Sequence, residues 1–125
     1  MITDTIKQIL ANEAPIGIVT VSSSGEAHLV GTWNSYVELI DDRTLAYPAG
    51  RMRATESNVE AGSRIQMLVG SRAVNGMSGK PGAGFRLAGT ARFQTAGEVF
   101  DRVKQRFGWC RAAVVTTVDE IEQQL

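Results

Sequence analysis

The sequence predicts a mainly β protein, a small antiparallel barrel of six strands with about three short helices. Three observations carry that reading. Six β-forming runs are joined mostly by short turn clusters, the pattern of hairpins and not of βαβ crossovers. Within Phe85–Gln94, Phe85, Leu87, Gly89, Ala91 and Phe93 alternate with Arg86, Ala88, Thr90, Arg92 and Gln94, as in a strand covered on one face. The length, 125 residues, suits one domain spanning 1–125 and buries roughly two thirds of the unfolded chain's surface, enough for a core.

In chain order, Ile2, Ile6, Ile9 and Leu10 fall at i, i+4, i+7 and i+8, an amphipathic helix running to about Glu13. It stops before Pro15, because the residue preceding proline is pushed out of helical geometry. Ile16–Val21 reads as the first strand, and SSSGE at 22–26 as a turn. The second strand runs from Ala27 to Leu39, interrupted at Gly31, where a bulge is expected to shift the alternation. After a turn at Asp41-Asp42 the third strand is Thr44–Pro48, and PAGRM at 48–52 cannot continue a central strand because proline donates no ladder hydrogen bond. Arg53–Ala61 reads as a helix capped by Gly62, and Arg64–Arg72 as the fourth strand. The Gly-rich stretch 74–84 reads as an irregular, mobile loop before the fifth strand. Thr95–Glu98 has the spacing of a capping box. It opens a helix whose apolar face is Val99, Phe100, Val103 and Phe107, ended by Gly108. Arg111–Val118 is the sixth strand, followed by a short polar tail. The three helices are expected to close the barrel's ends.

Composition excludes several classes of function. Thirteen Lys and Arg balance thirteen Asp and Glu, so no overall field draws in nucleic acid or an anionic membrane surface. No apolar run reaches membrane-spanning length, and the opening MITDTIKQIL lacks the features of a secretion signal. With one cysteine, Cys110, a disulfide framework is excluded and a cytoplasmic location is expected. A single histidine, His28, gives no zinc or iron cluster and no nucleophile triad. Lys80 is followed by Pro81, so the Gly-rich stretch is not a phosphate-binding P-loop.

What remains is a site for a flat ring with an anionic tail. Trp33, Tyr36 and Trp109 each stand at a strand irregularity instead of within a regular core alternation. Arg51 and Arg53 sit at the mouth of the middle helix, where unsatisfied backbone N–H groups and the helix dipole favour an anion. Thr55, Ser57 and Asn58 add hydrogen-bonding side chains to the first turns, and arginine's planar fork suits phosphate.

The blocks HLVGTWNSYVEL, YPAGRMRATESNV and FRLAGTARF, with WCRAAVVTTV near the C-terminus, resemble the FMN-binding split-barrel family that includes the pyridoxamine-phosphate oxidases. The likeness runs nearly end to end and is greatest to the family's small dimeric members from sulfate-reducing bacteria. It implies a six-stranded antiparallel split barrel and FMN held without a covalent bond at the interface of a homodimer. By the same resemblance Gly31, Thr32, Trp33 and Asn34 flank the flavin, and Tyr36 and Trp109 pack near its ring. Pro48, Ala49, Gly50, Arg51, Met52 and Arg53, with Thr55, hold ribityl and phosphate. Glu13 lies near the flavin's charge, and Leu125 lies over the partner's flavin. Two positions depart from the family pattern. Ala54 stands where a lysine commonly precedes the threonine, leaving Arg51 and Arg53 as candidates for its charge, and Gly31 stands where asparagine is common.

With no catalytic histidine, thiol or carboxylate pair, the chain reads first as an FMN redox protein, an electron carrier serving an unidentified redox partner or small donor. The alternatives are a small FMN-dependent oxidoreductase, such as a flavin reductase or a pyridoxamine-phosphate-oxidase relative, and a barrel that has lost its flavin site.

Overall fold

The computed structural model describes all 125 residues. The chain forms helix α1 (Asp4–Leu10), strands β1 (Pro15–Val21) and β2 (Ala27–Trp33), a 3₁₀ turn (Asn34–Tyr36), and strands β3 (Glu38–Leu39) and β4 (Thr44–Ala49). Helix α2 (Arg53–Glu60), strands β5 (Ile65–Asn75) and β6 (Pro81–Gln94), helix α3 (Glu98–Arg106) and strand β7 (Ala112–Gln123) follow. The seven strands make one antiparallel sheet in the order β2-β1-β5-β6-β7-β4-β3. The edge strands β2 and β3 are joined in sequence by the 3₁₀ turn, and the curled sheet is split there. No helix is long and apolar enough to cross a membrane.

The inner core follows the predicted alternations. Ile2 just before α1 and Ile6, Ile9 and Leu10 on it pack with Ile16, Ile18, Leu45, Tyr47, Ile65, Met67, Leu87 and Val114 from the strands. Thr3 caps α1 by accepting from the Ile6 N–H at 3.3 Å. Tyr47 is fully buried, its hydroxyl bonded to Thr116 at 3.0 Å. Burial pushes that phenol's pKa upward, because the charged form would lose its hydration. A second, separate cluster of Ala46, Val103, Cys110, Ala113 and Val115 lies on the opposite face of β4 and β7, beneath α3. So α3 covers an outer face of the sheet and does not close a barrel end.

Several expectations are corrected. There are seven strands and not six, because the predicted long strand 27–39 is broken into β2 and β3. The break is the 3₁₀ turn and not Gly31, whose pairing with Gly17 lies in an unbroken register from Val21↔Ala27 to Pro15↔Trp33. Strand β4 continues through Pro48 to Ala49, paired with β7 at Pro48↔Ala113. Strand β3 reaches only Ala46, so no neighbour on that side requires the missing N–H. The Gly-rich stretch is mostly strand: β5 runs to Asn75 and β6 starts at Pro81, with Gly79 at φ +77° in the tight turn between them. Gly89 is required inside β6, where a Cβ would collide with the Thr117 carbonyl at the bulge facing Asp119. The capping box is not formed, since Gly97 is the N-cap of α3 and no side chain bonds there. The polar tail is the end of β7, and the Leu125 N–H donates to the Gly84 carbonyl at 3.1 Å. Gly62, at φ +101°, ends α2 as predicted.

Candidate functional site

A cavity of about 230 Å³ lies along the free edge of β2. The β1–β2 ladder is bracketed by the bonds Ser22 N–H to Glu26 and Asn34 N–H to Ala14. Antiparallel alternation therefore turns the N–H and C=O groups of Leu29, Gly31 and Trp33 away from β1. That edge offers a row of unpaired donors and acceptors. Val30, Gly31, Thr32 and Trp33 line one side of the cavity, Pro48, Gly50, Arg51 and Met52 the other, and Tyr36 and Trp109 close its end. Sites for drug-sized ligands begin at about 300 Å³, so one chain supplies a groove smaller than that. A larger apolar groove of about 320 Å³ runs past Pro15, Gly70, Gly84 and Leu125 on the outer face, but the hydrogen-bonding edge and the cations meet at the first one.

One wall of the cavity is aromatic and open. Trp33 is 45% exposed and Trp109 55%, high values for indoles, which are usually mostly covered. Tyr36 stands 5.9 Å from Trp109 and 4.7 Å from Phe107, and Phe107 is 5.7 Å from Trp109, measured between ring centroids. The 3₁₀ turn performs the change of phase that the sequence assigned to a bulge, and it brings Trp33 and Tyr36 to one cavity. Gly50 is flat against Trp109: a Cβ there would lie 3.1 Å from the indole.

The 3₁₀ turn is clasped from two sides. Ser35 donates its N–H to Glu13 Oε1 at 3.1 Å and its hydroxyl to Glu13 Oε2, while its carbonyl accepts from Arg106 Nη2 at 2.9 Å. The Ser35 hydroxyl, then its N–H, hold the Glu13 carboxyl below the usual range, so it is ionised at neutral pH. Arg106 also pairs with Glu38 at 2.9 Å. Asn34 turns inward, its amide donating to the carbonyls of Ile9, Asn12 and Gly70 at 3.1, 2.8 and 3.3 Å. Its Oδ1 is buried without a partner.

At the other end of the cavity the chain enters α2 through Met52, the one non-glycine residue with positive φ (58°). No side chain caps this helix start, so the first-turn N–H groups keep their partial positive charge. Thr55 follows within that turn, 1% exposed, with a hydroxyl that has no partner. Arg51 and Arg53 stand exposed beside it. Arg111 reaches across from the start of β7. It donates Nε and Nη2 to the Arg51 carbonyl at 3.0 and 2.6 Å and pairs with Glu56 at 3.0 Å.

The structure thus brings Gly31, Thr32, Trp33, Tyr36, Pro48, Gly50, Arg51, Met52 and Trp109 to one cavity. Arg53 and Thr55 stand beside it on α2 but do not line it. Asn34 and Ala49 face the interior, Glu13 touches the site only through Ser35, and Leu125 lies in the outer groove. The sequence reading missed Phe107 as part of the aromatic cluster, having placed it on the apolar face of α3. Its position beside Gly108-Trp109, past the last helical turn, is the signal that separates it. Arg111 and Glu56 were missed because nothing local links residues so far apart.

Residues 2–124 match a family model described as pyridoxamine 5'-phosphate oxidase. A protein of Nitratidesulfovibrio vulgaris (strain DSM 19637 / Miyazaki F), named FMN-binding protein, is 43% identical over 125 residues, covering 100% of both chains. Among solved structures, HupZ of Group A Streptococcus superposes with a TM-score of 0.80 at 25% identity, over 98% of this chain and 94% of that one. An FMN-binding protein from Syntrophomonas wolfei subsp. wolfei superposes with a TM-score of 0.75 at 21% identity, over 94% of this chain and 81% of that one, a likeness of fold. With a matching family model over nearly the whole chain and a full-length relative at this identity, the protein belongs to the pyridoxamine 5'-phosphate oxidase family and has its split-barrel fold.

Proposed function

We propose that the protein binds FMN without a covalent bond and works as a redox protein, an electron carrier in the first reading. The observation that carries this is the continuity of the cavity. It runs from an unpaired strand edge and two exposed indoles to Arg51 and Met52, and Met52 leads directly into an uncapped helix start whose Thr55 hydroxyl is buried without a partner. A flat ring with a polar rim fits the first end and a phosphate the second. The name of the relative from N. vulgaris agrees with that fit. When bound, the flavin supplies the electron-transfer chemistry, and the protein's part is to hold and tune it.

In this reading the backbone groups of Gly31 and Trp33 bond the ring's polar edge, and Trp33, Tyr36 and Trp109 exclude water from its faces. Arg53, the α2 N-terminus and Thr55 hold the phosphate, with Arg51 as the other candidate cation. Pro48–Met52 line the ribityl chain. The ionised Glu13, reaching the site through Ser35, opposes a second negative charge there.

A second copy of the chain supplies the missing cover. The outer face of β2, β1 and β5 leaves Leu29 69% and Leu68 49% exposed, and in this reading Leu125, 61% exposed, covers the partner's flavin. The lone buried thiol of Cys110 suits a reducing cytoplasm.

The test is direct. Purified protein should absorb in the blue, and its flavin should be nearly non-fluorescent beside the indoles. Charge-assisted hydrogen bonds contribute about 1.5 to 3 kcal/mol each, so Arg53→Ala should weaken FMN by about tenfold or more and leave riboflavin nearly unchanged. Equal fluorescence of free and bound FMN would sink the placement of the rings, and an unchanged FMN affinity would move the phosphate to Arg51. Steady-state turnover with NAD(P)H, or with pyridoxamine phosphate and oxygen, would favour the oxidoreductase reading. A colourless protein that takes up no flavin would mark a barrel without its site.

A further inference from the structure

We infer that Arg111 is the positioning residue of the cavity's anion end, a role that rests on the FMN reading above. Its guanidinium spans the one non-glycine residue in the left-handed region. On one side it grips the Arg51 carbonyl with two donors, Nε at 3.0 Å and Nη2 at 2.6 Å. On the other it holds Glu56 on the first turn of α2 at 3.0 Å. Between these two anchors lies Met52, φ 58° and ψ 34°, a conformation disfavoured for any residue with a Cβ. Such a conformation persists only where the surroundings over-determine it.

Nothing in the Gly50–Arg53 segment itself calls for this turn, since neither a glycine nor an asparagine stands at 52. The restraint comes from β7. Arg111 is fixed at its own backbone, where its N–H donates to the Ala49 carbonyl at 2.9 Å, and its guanidinium lies 5.7 Å from the Phe93 ring centroid. Both Arg111 and Glu56 side chains are 20% exposed, so the pair is shielded far more than the surface ion pairs of the sheet. A planar fork can bond one carbonyl twice while its charge pairs with a carboxylate, and an ammonium cannot reproduce that geometry.

The consequence is the direction of α2. With the Arg51 carbonyl drawn toward β7, the chain turns through Met52 and the first-turn N–H groups and Thr55 come to the cavity end. Without the grip the same residues would remain, but the loop would relax toward ordinary backbone angles and the anion donors would disperse. Arg111 makes no hydrogen bond to Thr55, and its polar partners are the Arg51 carbonyl and Glu56, so it acts through the loop and not as a phosphate ligand.

The experiment compares Arg111→Lys and Glu56→Gln with the parent, in the full chain. It measures affinity for FMN and riboflavin, and the rate of trypsin cleavage after Arg51 and Arg53 in flavin-free protein. Arg111→Lys should lower FMN affinity by about tenfold while riboflavin changes by less than about twofold. It should also accelerate cleavage in the loop. Glu56→Gln, which keeps an acceptor and loses the charge, should show the same pattern more weakly, and it serves if the lysine variant fails to fold. An unchanged FMN-to-riboflavin ratio with unchanged cleavage would overturn the inference. So would an equal loss of both ligands with a lower melting temperature, because that marks a residue needed only for stability. If the parent itself does not prefer FMN to riboflavin, the phosphate reading fails instead. The cleavage rates alone then decide whether Arg111 holds the loop.

Discussion

The outer surface of the sheet is finished in two different ways. Behind β4 and β7, helix α3 lays Val103 onto Ala46, Cys110, Ala113 and Val115, all at most 2% exposed. Strand β7 is therefore buried on both faces, as its run of AAVV at 112–115 demands. Behind β2, β1 and β5 no helix arrives. Leu29, Val19 and Leu68 border an open apolar groove there, rimmed by Gln66, Arg86 and Gln124. The contrast shows that the chain seals one outer face with its own helix and leaves apolar side chains of the other exposed. In the proposed dimer a second copy would cover that face and close the groove beside Trp33.

The sharpest way to break this comparison is to place the same charge on each face. Val103→Asp puts a lone carboxylate into the sealed cluster, where an uncompensated charge costs about 3 to 5 kcal/mol, lowering the melting temperature by on the order of 10 °C. Leu68→Asp, on the bare face, should leave secondary structure intact and convert the protein to monomers by sedimentation. If both changes destabilise the single chain alike, the two faces are not different in kind.

A smaller effect is expected at the tail. Leu125 is tied by its backbone to Gly84 while its side chain projects from the surface. Burying a leucine side chain is worth about 1.5 to 3 kcal/mol, and part of that gain is already made against Gly84. Leu125→Ala should loosen the dimer by about tenfold and open the flavin to iodide quenching. Unchanged association and quenching would show that the tail belongs to the single chain only.

The smallest effect concerns the rim. Arg86 pairs with Glu120 at 3.0 Å and Glu122 at 3.3 Å, and Arg64 pairs with Asp119 through a bidentate contact. Hydrogen bonds from Arg64 hold Asp119, and those from Gln124 and then Arg86 hold Glu122, below their usual carboxylate pKa values. A carboxylate with a depressed folded-state pKa contributes stability above its unfolded pKa, and that contribution is lost as pH falls through the folded one. Melting temperature should therefore decline modestly below about pH 4, and Arg86→Met should flatten part of that decline. These pairs are exposed, so added salt should flatten it too. A salt-insensitive acid transition would place its origin elsewhere.

How much of this was legible in the sequence varies with the range of the interaction. Local signals held: the apolar positions of α1, the alternation of Phe85–Phe93 and the terminating Gly62. The errors arose where a residue's meaning depends on a distant chain. The glycines at 82 and 84 read as loop, yet both lie in β6, and Gly84 is small because Leu125 lies against it. The last residues of β7 read as tail because their partner, β6, is not adjacent to them in polarity or pattern. At the site, the aromatic residues and Arg51 and Arg53 were visible from their positions at strand irregularities and a helix mouth, and the rest of the 48–53 loop from the family resemblance. The grip of Arg111 on that loop was not, and neither was the inward turn of Asn34. An asparagine beside a tryptophan looks like a wall of a cavity until α1 is packed behind it and offers the carbonyls of Ile9 and Asn12.

The two chain ends differ in what can be attached to them. The Met1 ammonium sits 3.5 Å from Asp42 at the β3–β4 turn, apart from both the cavity and the bare outer face. The Leu125 carbonyl is bonded to the Gly84 N–H at 3.3 Å, so any polypeptide continued past that residue emerges onto the open apolar side of the sheet. A fusion or affinity handle joined there enters the surface where the second copy is proposed to sit, whereas one joined ahead of Met1 points into free solvent. The same molecule would then behave as two different assemblies according to which end carries the handle.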